Sequence, residues 1–177
     1  MDGGLPPVTL ILGGQRSGKS RLAETLIEDA AGGGVYLATA EARDGEMTDR
    51  IAAHRARRGP DWDTIEEPID ILPQIIEHAA PDRPVLVDCL TLWISNLMEA
   101  GRDPEPEAER LALGLDESAG PVVLVSNEVG LGVIPANALA RAFVDAAGRV
   151  NQRLAQRADR VLFTAAGLPM VLKGRPL

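Results

Sequence analysis

The run Gly13-Gly14-Gln15-Arg16-Ser17-Gly18-Lys19-Ser20 is a complete G-x-x-x-x-G-K-S phosphate-binding loop. It follows the apolar stretch Val8-Thr9-Leu10-Ile11-Leu12 and opens into a helical pattern at Arg21-Leu22-Ala23-Glu24-Thr25-Leu26-Ile27. That context constrains the fold more than the letters do. The loop needs a strand before it and a helix after it, so that backbone N–H groups converge on phosphate at a helix N-terminus. Gly13 and Gly18 permit the turn and the close backbone approach. Lys19 can reach the β- and γ-phosphates, and the Ser20 hydroxyl can ligate Mg²⁺. The pattern predicts a nucleoside triphosphate site.

Short β-rich apolar runs alternate with longer helical patterns, which predicts a mostly parallel α/β sheet covered on both faces. Strands are expected at 8–12, 34–38, 84–87, 121–125, 160–165 and 169–173. Helices are expected near 19–30, 45–57, 70–79, 89–99, 106–116 and 136–158. The last two strands are too close for a crossover helix, so they should form a C-terminal antiparallel hairpin. Residues 101–107, acidic and proline-bearing, read as a surface connection. At 177 residues, with 45% hydrophobic content, the chain can bury a core without disulfide or metal and is expected to be one domain, 1–177.

A net charge of −8 argues against a nucleic-acid or anionic-membrane partner. No apolar run approaches the roughly 18 residues of a spanning helix, and the N-terminus lacks a basic, apolar leader. The reading is a cytoplasmic protein with no membrane span. Cys89, the single cysteine, lies in an apolar stretch and is expected buried and reduced. Two histidines and one cysteine, far apart, leave no pattern for zinc.

Asp88 ends the run Val85-Leu86-Val87, placing a carboxylate at the carboxyl end of a buried strand. In P-loop NTPases such an acid holds the metal; Asp88 could instead, or also, cap the helix that follows. Residues 44–67 put His54 among Arg50, Arg55, Arg57 and Arg58 in an otherwise acidic chain. Triphosphate oxygens would suit those guanidinium forks, and nearby cations favour a neutral, nucleophilic imidazole. A packing or surface histidine is the alternative. His78 falls at a helix end, where it can meet the last carbonyls. The segment Ser126-Asn127-Glu128-Val129-Gly130-Leu131-Gly132 follows a buried strand, so Asn127 and Glu128 emerge where open α/β sheets bind ligands, or merely where the chain connects. On the long helix beyond fall Arg141, Asp145, Arg149, Asn151 and Gln152, most of which read as a solvated face or a subunit contact.

In order, these segments resemble the bifunctional adenosylcobinamide kinase/adenosylcobinamide-phosphate guanylyltransferase family of cobalamin biosynthesis. The resemblance runs from the loop through Tyr36-Leu37-Ala38-Thr39-Ala40, Asp44-Gly45-Glu46-Met47, Arg50-Ile51, His54-Arg55, Trp62, Thr64 and Glu66-Glu67-Pro68. It continues with Val87-Asp88-Cys89-Leu90-Thr91-Leu92-Trp93, Ser126-Asn127-Glu128-Val129-Gly130, Gly148-Arg149-Val150-Asn151-Gln152 and Ala166-Gly167-Leu168-Pro169. It is colinear over about residues 8–173. It implies a RecA-like P-loop fold, a homotrimer, Mg²⁺, and two reactions. ATP or GTP phosphorylates the aminopropanol hydroxyl of adenosylcobinamide; GTP then donates GMP to that phosphate, through a guanylyl-histidine intermediate. His54 occupies the nucleophile's position. Some relatives carry adjacent histidines there, whereas Ala53 precedes His54 here. By the same resemblance Ala38, Thr39, Ala40, Arg55, Ala56, Arg57, Arg58, Glu66 and Asp88 line the nucleotide site. Glu67 and Asp88 are the candidates for a general base in the kinase step. The rival readings are a monofunctional P-loop small-molecule kinase and a RecA-like nucleotide switch.

Overall fold

The structure, a computed structural model, describes residues 4–40 and 59–176. The expected helix over 45–57 lies outside them. The strands are β1 (Val8–Gly13), β2 (Gly34–Ala38), β3 (Trp62–Glu66), β4 (Val85–Asp88), β5 (Val122–Asn127), β6 (Arg160–Ala165) and β7 (Leu168–Lys173). The helices are α1 (Lys19–Ala31), α2 (Ile71–His78), α3 (Leu90–Glu99), α4 (Pro104–Gly114) and α5 (Ala138–Arg157), with a short 3₁₀ turn at Leu115–Glu117.

One seven-stranded sheet runs in the order β3-β2-β4-β5-β1-β6-β7. Every pair is parallel except β6–β7, the C-terminal hairpin. The interior strand β1 is buried along its whole length, as its mainly apolar run requires of a sheet covered on both faces. Alternate residues then separate two cores. Val8, Leu10 and Leu12 join Val87 and Leu124 against Ile71, Trp93, Leu97, Leu111 and Leu154 of the helices α2 to α5. Ile11, Leu86, Val123, Val125 and Leu162 meet Ala23 and Ile27 of α1 on the other face. Each such buried side chain contributes about 1.5–3 kcal/mol, so burial on both faces, more than strand propensity, holds the sheet.

Two expectations are corrected. Trp62–Glu66 is an edge strand paired with β2, with Ala38 opposite Glu66; its acidic, half-exposed sequence carries no buried-strand signal of its own. Residues 101–107 are not merely a connection, because α4 already begins at Pro104. Asp103 caps it, its carboxylate accepting from the Glu105 N–H at 3.1 Å. Proline is suited to that first helical position, and Glu105 and Glu107 favour the positive end of the helix dipole. The same helix and the 3₁₀ turn after it pair with α5: Arg149 with Glu105 at 2.5 Å and Arg153 with Glu109 of the helix, and Arg157 with Asp116 of the turn at 2.5 Å. Arg149 therefore has an intramolecular partner, and Asn151, only 5% exposed, is part of the interior and not of a solvated face. Among the described residues no helix is long and apolar enough to cross a membrane.

Candidate active site

The carboxyl ends of β1, β5, β4 and β2 share one edge of the sheet. Register sets Gly13 opposite Asn127 and, on its other side, opposite Thr164; Asp88 lies opposite Ala38. β5 lies between the loop-bearing strand and the strand that carries Asp88.

The loop turns tightly as it leaves β1. A Cβ at Gly13 would lie 2.5 Å from both the Ser17 Oγ and the Thr164 carbonyl oxygen, so no larger residue fits. Gly18 has φ 98° and precedes the first turn of α1, whose Leu22 N–H donates to the Gly18 carbonyl at 2.9 Å. That is a left-handed backbone which glycine adopts at least cost. Inside the loop the Ser17 N–H donates to the Gly14 carbonyl at 3.2 Å.

Lys19 folds back over this loop and donates from Nζ to the Gly14 carbonyl at 3.0 Å. The residue is 7% exposed, and burial lowers its pKa, partly opposed by the nearby charge of Asp88. A buried ammonium that donates to a neutral carbonyl is poorly compensated, and an anionic phosphate would supply what it lacks.

Asp88 is held from β2. The Tyr36 hydroxyl donates to its Oδ2 at 2.9 Å. The capping alternative is not what forms, since Cys89 occupies the N-cap position of α3 and no side chain caps it. The corner behind Asp88 is fixed by Thr39, which is fully buried. Its hydroxyl donates to the Cys89 carbonyl at 2.7 Å and accepts from the Cys89 N–H at 2.9 Å, while Asn96 Nδ2 donates to the Thr39 carbonyl at 2.8 Å. Cys89 is buried and free, as expected; burial and the Asp88 charge push its thiol up to about 11. A thiol so protonated is no nucleophile at neutral pH.

Thr39 and Asp88 thus meet at one corner, beside Ala38, with Ala40 next in the chain, and Lys19 faces that corner electrostatically. Glu66 is exposed at the end of β3, one strand farther out. Glu67 Oε1 accepts from the Ile69 and Asp70 N–H groups at 2.9 Å each, which ties that carboxylate to the turn before α2. Arg50, His54, Arg55, Ala56, Arg57 and Arg58 lie outside the described residues.

Two further residues support the edge. The Thr91 hydroxyl accepts from the Asn127 N–H at 2.7 Å, and the Glu128 N–H donates to the Gly13 carbonyl at 3.0 Å. Thr91 could have been suspected as a polar residue inside the apolar run Leu90 to Ile94, but its partner 36 residues away leaves no local trace.

Among the described residues no three His, Cys, Asp or Glu side chains gather into a metal cage. Mg²⁺ does not need one, since it is held by one or two carboxylates together with substrate phosphates and water. Ser20, at the first turn of α1, and Asp88 are hard oxygen donors of the required kind, so the residues present fit the ion.

The family described as "Cobinamide kinase / cobinamide phosphate guanyltransferase" matches residues 9–172 of this chain. The bifunctional adenosylcobalamin biosynthesis protein CobP of Pseudomonas aeruginosa is 52% identical over 170 residues, covering 95% of this chain and 98% of that protein. The bifunctional adenosylcobalamin biosynthesis protein CobU of Salmonella typhimurium is 41% identical over 181 residues, covering 93% and 98%. Among solved structures, the flagellar accessory protein FlaH of Methanocaldococcus jannaschii superposes with a TM-score of 0.57 at 13% identity, over 97% of this chain and 80% of that one. A prototypical ATPase from the type III secretion system of pathogenic bacteria gives 0.52 at 12% identity, over 93% and 56%. The sheet is thus the RecA-like P-loop fold that the sequence predicts.

Proposed function

We propose a two-step reaction for this chain, which belongs to the cobinamide kinase / cobinamide phosphate guanyltransferase family. In the first step the aminopropanol hydroxyl of adenosylcobinamide attacks the γ-phosphorus of ATP or GTP and releases the nucleoside diphosphate. In the second, a neutral His54 imidazole attacks the α-phosphorus of GTP and pyrophosphate leaves. The phosphate of adenosylcobinamide phosphate then takes the GMP group from the histidine, giving adenosylcobinamide-GDP and restoring the imidazole. Splitting the transfer in this way avoids a direct encounter of two phosphate anions.

The observation that carries the reading is Lys19: a buried cation laid over a phosphate-shaped loop, in a chain of this family. Gly13, Gly14, Gln15, Arg16, Ser17 and Gly18 present backbone to the triphosphate, and Lys19 stabilises charge developing on its oxygens. Ser20 and Asp88 would hold Mg²⁺, which neutralises phosphate charge and helps the leaving group depart. Ala38, Thr39, Ala40 and Glu66 shape the neighbouring wall, and the guanidinium groups of Arg55, Arg57 and Arg58, with Ala56 between, bring further positive charge near His54. Asp88 is the candidate acceptor for the proton lost from the hydroxyl.

We read residues 1–177 as one catalytic domain that acts in the cytoplasm as a homotrimer. Support for assembly comes from an apolar stretch that stands in solvent, where Leu131 is 81%, Val133 97%, Ile134 80% and Leu139 70% exposed. Burying such a surface against another copy is the ordinary remedy for it. The test is direct: the purified protein, given Mg²⁺, GTP and adenosylcobinamide, should form adenosylcobinamide phosphate and then adenosylcobinamide-GDP, followed by mass. Phosphorylation without the second product would reduce the function to a simple kinase, and nucleotide hydrolysis alone would indicate a switch.

A further inference from the structure

The motif Ala166-Gly167-Leu168-Pro169 has no role in the reaction just described, yet its turn lies against the phosphate loop. Ala165 pairs with Leu168, so Ala166 and Gly167 form the two-residue connection of the β6–β7 hairpin. Both have positive φ, 52° and 79°, as a hairpin turn that follows the sheet's twist requires. From the tip of this turn the Gly167 N–H donates to the Ser17 carbonyl at 2.8 Å. A Cβ at Gly18 would lie 3.1 Å from the Gly167 Cα, so loop and hairpin are nearly in backbone contact. At its other end the hairpin is anchored by Lys173, whose Nζ donates to the Ala155 and Gln156 carbonyls at 3.1 and 2.8 Å, at the end of α5.

The peptide joining Ser17 to Gly18 is a rigid plane, and in a trans peptide the carbonyl and the following N–H point in opposite directions. Fixing the Ser17 carbonyl toward the hairpin therefore turns the Gly18 N–H away from the hairpin. We infer that Gly167 is a positioning residue of the phosphate site: its N–H holds the Ser17–Gly18 peptide so that the Gly18 N–H is aimed at phosphate. The inference rests on the reading of residues 13–20 as a phosphate site. It makes the hairpin, remote in sequence and attached to the sheet only through β6, a working part of nucleotide binding.

Amide hydrogen exchange on the ¹⁵N-labelled full chain tests it, with Mg²⁺ and inorganic tripolyphosphate as a probe that fills the loop without a base or ribose, and with GTP in parallel. Tripolyphosphate should slow exchange at Gly18 and Lys19 and, through the shared bond, at Gly167 by about tenfold. Protection of the loop amides with Gly167 unchanged would overturn the inference. So would protection of Gly167 by GTP alone, because the nucleoside would then be touching the hairpin directly. If neither probe protects the loop, the phosphate-site reading itself is lost, and the role of Gly167 with it.

A kinetic readout comes from the full chain with the Ala166–Gly167 amide replaced by an ester through chemical ligation, which deletes the Gly167 N–H and leaves a residue without a side chain to hold the positive φ of 79°. The nucleotide KM should rise about threefold to tenfold, the scale of one backbone hydrogen bond, with kcat little changed. A KM equal to that of the parent would overturn the inference.

Discussion

Tyr36 holds Asp88 across neighbouring parallel strands: the phenol donates to Oδ2 at 2.9 Å, on β2 and β4 respectively. A carboxylate gripped in this way has one oxygen committed to the phenol and keeps a second hard oxygen donor, which suits a ligand to Mg²⁺. Tyr36→Phe removes the donor while keeping the ring. The variant should stay folded, losing about 0.5–1.5 kcal/mol. The Mg²⁺ concentration for half-maximal turnover should rise several-fold, as read from a Mg²⁺ titration of nucleotide turnover. An unchanged Mg²⁺ requirement would detach Asp88 from the metal.

Lys19→Ala should abolish both activities, because each requires the triphosphate to be held. Its effect on stability has a sign set by burial. The folded pKa of Lys19 lies below 10.5, so in the window between that lowered value and 10.5 the unfolded chain binds more protons and stability rises with pH. Below that window the buried charge is a standing penalty. The alanine variant should therefore be no less stable than the parent at neutral pH and should lack this alkaline gain. Parent binding of GTP should weaken as pH rises through the lowered Lys19 pKa, since the neutral amine no longer attracts phosphate. Denaturant melts at neutral and alkaline pH, with GTP binding alongside, check both statements.

The exposed stretch around Val133 and Ile134 supplies the test of assembly. Val133→Asp with Ile134→Asp places charge on residues that are 97% and 80% exposed, so the monomer's fold should tolerate it within about 0.5 kcal/mol per site. A trimer built on that surface should dissociate, which sedimentation would show as a threefold fall in mass. An unaltered mass would place the interface elsewhere.

The strands β1, β2, β4 and β5 were legible because each is buried almost throughout, and a short, mainly apolar run has few other fates; the exposed β7 was legible from its short separation from β6. The loop, Lys19, Ser20 and Asp88 were legible because the motif fixes their spacing and a carboxylate at the end of an apolar run stands out. β3 was not, since Trp62–Glu66 is a strand only by virtue of pairing with β2 at the sheet's edge. Nor were the partners that stiffen the site. Thr39 and Cys89 meet over 50 residues, Thr91 and Asn127 over 36. Short hydroxyls bonded to distant backbone leave no periodic pattern, and only the fold brings them together.

In the proposed route, the pairing of kinase and guanylyltransfer chemistry in one chain rests on His54. The measurement that tests it most directly incubates the purified protein with Mg²⁺ and GTP labelled on the α-phosphate, without any corrinoid acceptor, and then denatures it. The parent should retain label that is labile to acid and stable to alkali, as a phosphoramidate is, and His54→Ala should retain none while still phosphorylating adenosylcobinamide. Absence of label on a parent protein shown to bind GTP would contradict the guanylyl-histidine route, as would equal label on the His54→Ala variant.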